Sequence, residues 1–298
     1  MTKRRISSLL MLIAVAGAPM AATAKPFSQF VELSGALSDT GNYASDKDDP
    51  LPPIFYGHRT ANGPVAGELL AAKLGLKAEN SMHLVGPPVG TNFAVRDAFA
   101  GRNGPHDLPG QYNAYLKSRG GKADPDAFHF LFNGGNDVIT AVLTPDDAAA
   151  DKLLSDAVLG LETCIRTLVN AGAKTIFAPD FVDLSHVPFA AKKDAARARR
   201  ISDSYNSQYN AMLDRIEGEL TFELIRWSFD GFFKDLLKHG DEFGLTNVTD
   251  ACLSMPEGQC DPDRFLFLTD VFPTAKTHEI LATAMAAAIL SRDRARVQ

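Results

Sequence analysis

Beyond its first two dozen residues the sequence has no apolar run long enough to span a bilayer, so the remainder reads as a soluble chain. It has no basic stripe either. Thirty Lys and Arg stand against 36 Asp and Glu, a formal charge of −6, which argues against nucleic acid as a partner. There are only three cysteines, and none stands with histidines at zinc-ligand spacing. Nothing in the pattern asks for a cofactor. No internal repeat, low-complexity tract or Gly/Ser-rich linker divides the chain, which favours one domain over residues 25–298. What is present is ordinary globular material. Of 298 residues, 45% are hydrophobic and 22% charged, enough for a sizeable core.

The N-terminus has its own logic. Lys3, Arg4 and Arg5 precede the short apolar run ISSLLMLIAVAGA, and the small residues of ATA precede Lys25. That order predicts a secretory signal peptide over residues 1–24, cleaved after Ala24, and an exported protein, periplasmic or secreted. In an exported chain Cys252 and Cys260, close together in the Gly/Pro-bearing stretch DACLSMPEGQCDPD, are expected to form a disulfide. Cys164 lies in a helical pattern and reads as a small buried hydrophobe. The basic cluster from Lys192 to Arg200 reads as a solvated helix face.

Strand and helix signals alternate. PFSQFVELS predicts a strand, with Ser38 or Asp39 capping the helix start that follows. GPVAGELLAAKLGL has helical periodicity and ends at Gly75. MHLVGPPVGTNFAV is expected to be a strand breaking into a Gly/Pro loop. DAFHFLFNGGND is the sharpest local signal. Its apolar run ends in Asn133, Gly134, Gly135, Asn136 and Asp137, as strands do where open α/β sheets build sites. A long helix, the short strand KTIFAPDF, a second long helix, the strand TFELIRWSF and a C-terminal helix follow, with a variable loop around Leu184–Ala195. The alternation predicts an α/β fold with a central parallel sheet covered by helices on both faces.

The ordered motifs carry a resemblance. SGALSDTGN (Ser34–Asn42), RTANGPVAGELLAAKLGL, GTNFAV, FNGGNDV and FGLTNVTDACL…FLFLTDVFPTAKTHEILA resemble, in that order, the blocks of the GDSL lipases/acylhydrolases of the SGNH hydrolase superfamily. The closer likeness is to secreted bacterial esterases and phospholipase/haemolysin-type members. The resemblance covers nearly all of the chain after its leader. It implies a three-layer α/β/α, flavodoxin-like fold and a serine ester hydrolase. In such an enzyme a serine attacks the ester carbonyl, a histidine moves the proton and an aspartate orients the histidine. Backbone N–H groups and an asparagine stabilise the oxyanion.

Laid on those roles, this sequence departs from the family. The nucleophile position is Ala36, preceded by Gly35. The oxyanion glycine falls on Arg96, with Asp97 in place of the second glycine. The D-x-x-H pair falls on Thr269 and Phe272. Asn136, next to Gly135, alone stands as the family has it, and Asn136, Arg96 and Gly135 form the candidate binding set. Asp270 is no substitute acid, because Pro273-Thr274 fixes the frame. Ser34 and Ser38 are the alternative nucleophiles and His278 the alternative base, although His278 is expected to open or cap the last helix. His58 reads as loop packing, and His83, His106, His129, His186 and His239 have no triad-like context. Phe272 is expected to fill the slot of the imidazole, its backbone extended by the following proline. Arg96 either pairs with Asp97 or points into the cleft, and Asn136 is expected to donate to a ligand carbonyl.

Two functions follow. In the first, the protein is a catalytically inactive or severely impaired member that binds an ester, acyl or glycan-type ligand, or a protein partner. In the second, it is an active carboxylic-ester hydrolase using non-standard residues.

Overall fold

The computed structural model describes residues 27–48 and 51–297; the expected leader lies outside them. Four strands, β1 (Phe30–Ser34), β2 (Phe128–Phe132), β3 (Thr175–Pro179) and β4 (Glu223–Trp227), form one parallel sheet in the order β1-β2-β3-β4. The side chains of β1, β2 and β3 are almost all buried, as expected of a parallel sheet covered on both faces, whereas those of the edge strand β4 are only partly so. Register fixes the two faces. Glu32, Phe130, Phe177 and Ile225 stand abreast on one of them. Aromatic rings fill that face: Phe30 lies 5.7 Å from Phe130, and Phe130 lies 5.6 Å from Phe177. Each such buried ring contributes about 1.5–3 kcal/mol.

Helix α2 (Ala66–Lys73) and the C-terminal helix α9 (Ala275–Val297) pack together over this face. The opposite face meets α3 (Leu108–Ser118), where the Tyr115 hydroxyl contacts His129 Nε2 at 3.2 Å. In that second helical layer α5 (Asp147–Asn170) packs against α3, α4 (Gly135–Leu143) and α7 (Ala195–Glu219). The architecture is α/β, with a central parallel sheet flanked by helices.

The expected strand at 82–95 does not form as such. Pro87 and Pro88 have no N–H to give, and Gly86 and Gly90 favour a turn over a ladder. Only 91–95 runs along the outer edge of β1. Glu32 N donates to Thr91 O (3.0 Å), Phe93 N to Glu32 O (2.8 Å) and Val95 N to Ser34 O (3.2 Å). With that segment counted, the chain leaves β1 first to its outer side and then returns to its inner side as β2. Such a reversal opens a crevice at the C-terminal ends of the strands.

Two other expectations change. Residues 184–195 are not one loop: they form a single turn, Leu184–His186, and the short helix α6 (Pro188–Ala191). The basic cluster is only partly a solvated face. Arg197 turns inward, donating to Val142 O (3.1 Å) and Thr144 O at the end of α4, and pairs with Asp147 (2.6 Å). A cation there satisfies carbonyls that have no partner within their own helix. Cys164 is buried, and Cys252 is bridged to Cys260 between β5 (Asn247–Ala251) and β6 (Phe265–Phe267). Among the described residues no helix is long and apolar enough to cross a membrane.

Candidate functional site

The turn after β1, the segment 95–98 and the turn after β2 converge at the sheet's C-terminal edge. Buried polar side chains hold their backbones there. Asp39 accepts from the N–H groups of Gly41 (2.7 Å), Asn42 (2.8 Å), Tyr43 (3.1 Å) and Arg96 (2.8 Å). It thereby caps α1 (Asn42–Asp46) and ties it to the segment carrying Arg96. Burial raises its pKa, and the four donors offset part of that rise. Asn42 Nδ2 donates to Asn92 O and Ala94 O, both at 2.9 Å, and Asn92 Nδ2 donates to Ser38 O at 2.8 Å. Asp137 accepts from Ala100 N (2.8 Å) and Gly101 N (3.1 Å) while burial pushes its pKa up to about 6. Gly134, at φ 96°, turns β2 into α4, and a Cβ there would lie 2.6 Å from the Tyr205 hydroxyl.

Between these loops and the returning segment 271–273 lies a cavity of about 410 Å³. This is the size of a small-molecule site. Ala36 and Phe272, from the two ends of the chain, both border it, as do Arg96, Gly135 and Asn136. Phenylalanines such as Phe132, Phe181 and Phe233 and aliphatic residues such as Leu37, Ile139 and Leu281 make the rest of the wall largely apolar. Among the described residues no histidine borders it.

Thr269 stands outside the wall. Its Oγ1 accepts from Phe272 N (2.9 Å) and Val271 N (3.2 Å), so it shapes the turn that presents Phe272. Asp270 faces Lys192 at 3.3 Å, half exposed. Ser34 Oγ donates to Phe132 O at 2.6 Å. Asn136 Nδ2 donates to Ala98 O (2.7 Å) and Arg96 O (3.2 Å), so both of its N–H donors hold the segment 96–98. The Arg96 guanidinium lies over the Tyr43 ring, 4.2 Å from its centroid.

Ser38 and His278 meet elsewhere. Both border a separate cavity of about 30 Å³ between the sheet and α9. His278 is buried, and its Nδ1 accepts from Ala66 N at 3.1 Å, the first N–H of α2. It therefore caps α2 rather than its own helix. The Nδ1 acceptor places the proton on Nε2, which has no partner, and burial lowers the pKa to about 4. An Nε2 that already carries a proton is a donor, not a base. Nearby Glu32 is buried against Gly67 of α2 with neither oxygen hydrogen-bonded. Burial pushes its pKa up to about 8; the neighbouring Ser38 hydroxyl lowers it somewhat without reaching hydrogen-bond geometry.

Of the remaining histidines, His58 is an exposed loop residue at φ 66°. His83 and His129 are held by Ser81 and by Tyr115 and Thr175, with pKa values lowered by burial to about 4. His106 is the one that local context could not place. Its Nδ1 faces Asp97 and its Nε2 faces Asp46, both at 2.8 Å, closing the loop before α3 onto α1. Asp46 lies 60 residues away, so no motif spacing could carry that contact. The only available signal was an acid, Asp97, at a position the resemblance assigns to glycine.

Residues 36–285 match the model of a family described as GDSL-like Lipase/Acylhydrolase. The chain is 26% identical over 194 residues to Lipase 1 of Photorhabdus luminescens, covering 61% of this chain and 28% of that protein. It is 25% identical over 313 residues to an uncharacterised protein of the trpE–trpG intergenic region of Pseudomonas putida, covering 91% of this chain and 50% of that one. The chain thus spans half or less of the length of these relatives. With the match running from the turn after β1 into α9, this chain belongs to the GDSL-like lipase/acylhydrolase family.

Proposed function

We propose that this chain binds an ester- or acyl-type amphiphile in the 410 Å³ cavity and does not hydrolyse it. The carrying observation is that the nucleophile and base positions, Ala36 and Phe272, both border the cavity without a hydroxyl or an imidazole. An alanine methyl cannot attack a carbonyl and a phenyl ring cannot move a proton. Loss of triad members lowers turnover by about 10⁴–10⁶-fold. The mostly aliphatic and phenylalanine wall, with few polar groups to meet hydroxyls, favours an alkyl chain over a glycan. The Cys252–Cys260 bridge supports an oxidising, extracytoplasmic location.

The second reading, hydrolysis with Ser38 and His278, is favoured only by their shared small cavity. The acceptor role of His278 Nδ1 opposes it, because it leaves Nε2 protonated. The test uses p-nitrophenyl esters of short and medium chain. The wild type and Ala36→Ser are expected to stay at background. Activity is expected only when Ala36→Ser is combined with Thr269→Asp, Phe272→His and Arg96→Gly. Wild-type turnover that disappears in Ser38→Ala or His278→Ala would overturn the proposal, as would strong turnover in Ala36→Ser alone.

A further inference from the structure

We infer that Asn133, not Asn136, is the side chain that hydrogen-bonds the ligand, and that the group it recognises is a carbonyl oxygen at the head of an alkyl chain. The inference rests on the binding reading above and names its recognition element. Both asparagines follow β2 and both border the main cavity. Their donors are differently placed. Asn136 Nδ2 is spent on the carbonyls of Arg96 and Ala98. Asn133 is 7% exposed, and its Nδ2 is buried without a hydrogen-bond partner.

The orientation of the Asn133 amide is fixed by its other end. Oδ1 accepts from Gly134 N at 2.8 Å, and the flipped amide would set an NH₂ group against that N–H. The donor is therefore Nδ2, covered in this structure on a residue that borders an apolar cavity, and a ligand oxygen reaches it by displacing what covers it. A buried donor left unmade is costly, and a ligand oxygen that satisfies it recovers that cost on binding. An N–H group selects an acceptor, so a carbonyl suits it and an ammonium or bare alkyl terminus does not. No bond is made or broken: the contact orients the head of the chain where a hydrolase would have stabilised an oxyanion.

Purified protein is titrated with decan-2-one and with 1-chlorodecane, which keeps the chain but lacks the carbonyl. The wild type is expected to bind the ketone about tenfold more tightly than the chloride. Asn133→Asp, assayed at alkaline pH where its carboxyl is ionised, keeps an acceptor for Gly134 N and offers no donor, and Asn133→Leu removes both. In each, the ratio should fall to about one, with folding checked by near-ultraviolet circular dichroism. The infrared stretch of carbonyl-labelled ketone should shift to lower frequency in the wild-type complex and return toward its apolar-solvent value in Asn133→Asp. Equal wild-type binding of the two probes, an unshifted carbonyl, or a preference that survives in Asn133→Asp overturns the inference alone. Binding of neither probe overturns it together with the ligand-binding reading.

Discussion

In the loop frame at the sheet's C-terminal edge, Asp39, Asn42, Asn92 and Asp137 are each bonded to backbone groups of neighbouring segments. In the cavity wall and the layer beneath it, polar groups are replaced or left unmatched. Ala36 and Phe272 border the cavity with apolar side chains, and Asn133 Nδ2, His278 Nε2 and both oxygens of Glu32 have no partner. The difference separates two kinds of motif residue. Those that hold backbone to backbone are kept, because each loss would leave several buried groups unsatisfied. On the proposed reading, those that would touch a ligand carry no such penalty and are free to differ. The frame therefore sets the cavity's shape independently of which side chains line it.

The largest test of that contrast is on the unmatched side, at Glu32. Folded, it keeps its proton up to about pH 8, whereas its ordinary value is 4.5. Between those values the folded chain holds one more proton than the unfolded chain. Glu32 therefore makes stability fall as pH rises from about 4.5 to about 8, and adds no further slope above that. His83, His129 and His278, all lowered to about 4, act in the opposite sense: they cost stability as pH falls through 6.5 toward 4. Glu32→Gln should remove the Glu32 contribution. Its stability relative to wild type, from urea midpoints, should rise by roughly 4 kcal/mol between acid and pH 9. A relative stability that does not change with pH would mean that Glu32 is solvated or paired after all.

On the matched side, Asp39→Ala strands four backbone N–H groups at once. The expected loss is about 3–4 kcal/mol in urea unfolding, less than four separate bonds would sum to because the turn relaxes. Asp39→Asn keeps one acceptor oxygen and should recover about half of it. If Asp39→Ala costs no more than a surface change, within about 0.5 kcal/mol, the frame is not what maintains the cavity.

Much of the frame was legible in the sequence, because its elements rest on local patterns. The apolar run 127–132 followed by Gly134 and Gly135 announces a strand turning into a helix, and Asp39 stands where a cap must be. Leu37–Asn42 and Pro273-Thr274 fix the sequence frame around Ala36 and Phe272, and the fold brings both residues to one cavity. What could not be read depends on distant partners. The 91–95 segment became an edge because the Pro87-Pro88 turn left only five residues to follow β1. His278 gave its Nδ1 to a helix 212 residues away, and His106 found acids on two separate segments. The difference between Asn133 and Asn136 was invisible for the same reason: it lies in which carbonyls fold back onto each amide.

That pair gives the finest division of the frame from the wall. Asn136→Ala leaves the carbonyls of Arg96 and Ala98 without their donor, at a cost of about 1–2 kcal/mol in stability. Because its N–H groups face the loop, the dissociation constant for decan-2-one should change by less than about twofold, a difference worth only some 0.4 kcal/mol. Asn133→Leu should lose the carbonyl preference while giving up, for stability, only the one bond that Gly134 N donates, about 1 kcal/mol. If Asn136→Ala weakens ketone binding tenfold and leaves the urea midpoint unchanged, Asn136 belongs to the wall. The family's oxyanion asparagine would then still face the ligand, and the division between holding and touching residues would have to be drawn one helical turn further along α4.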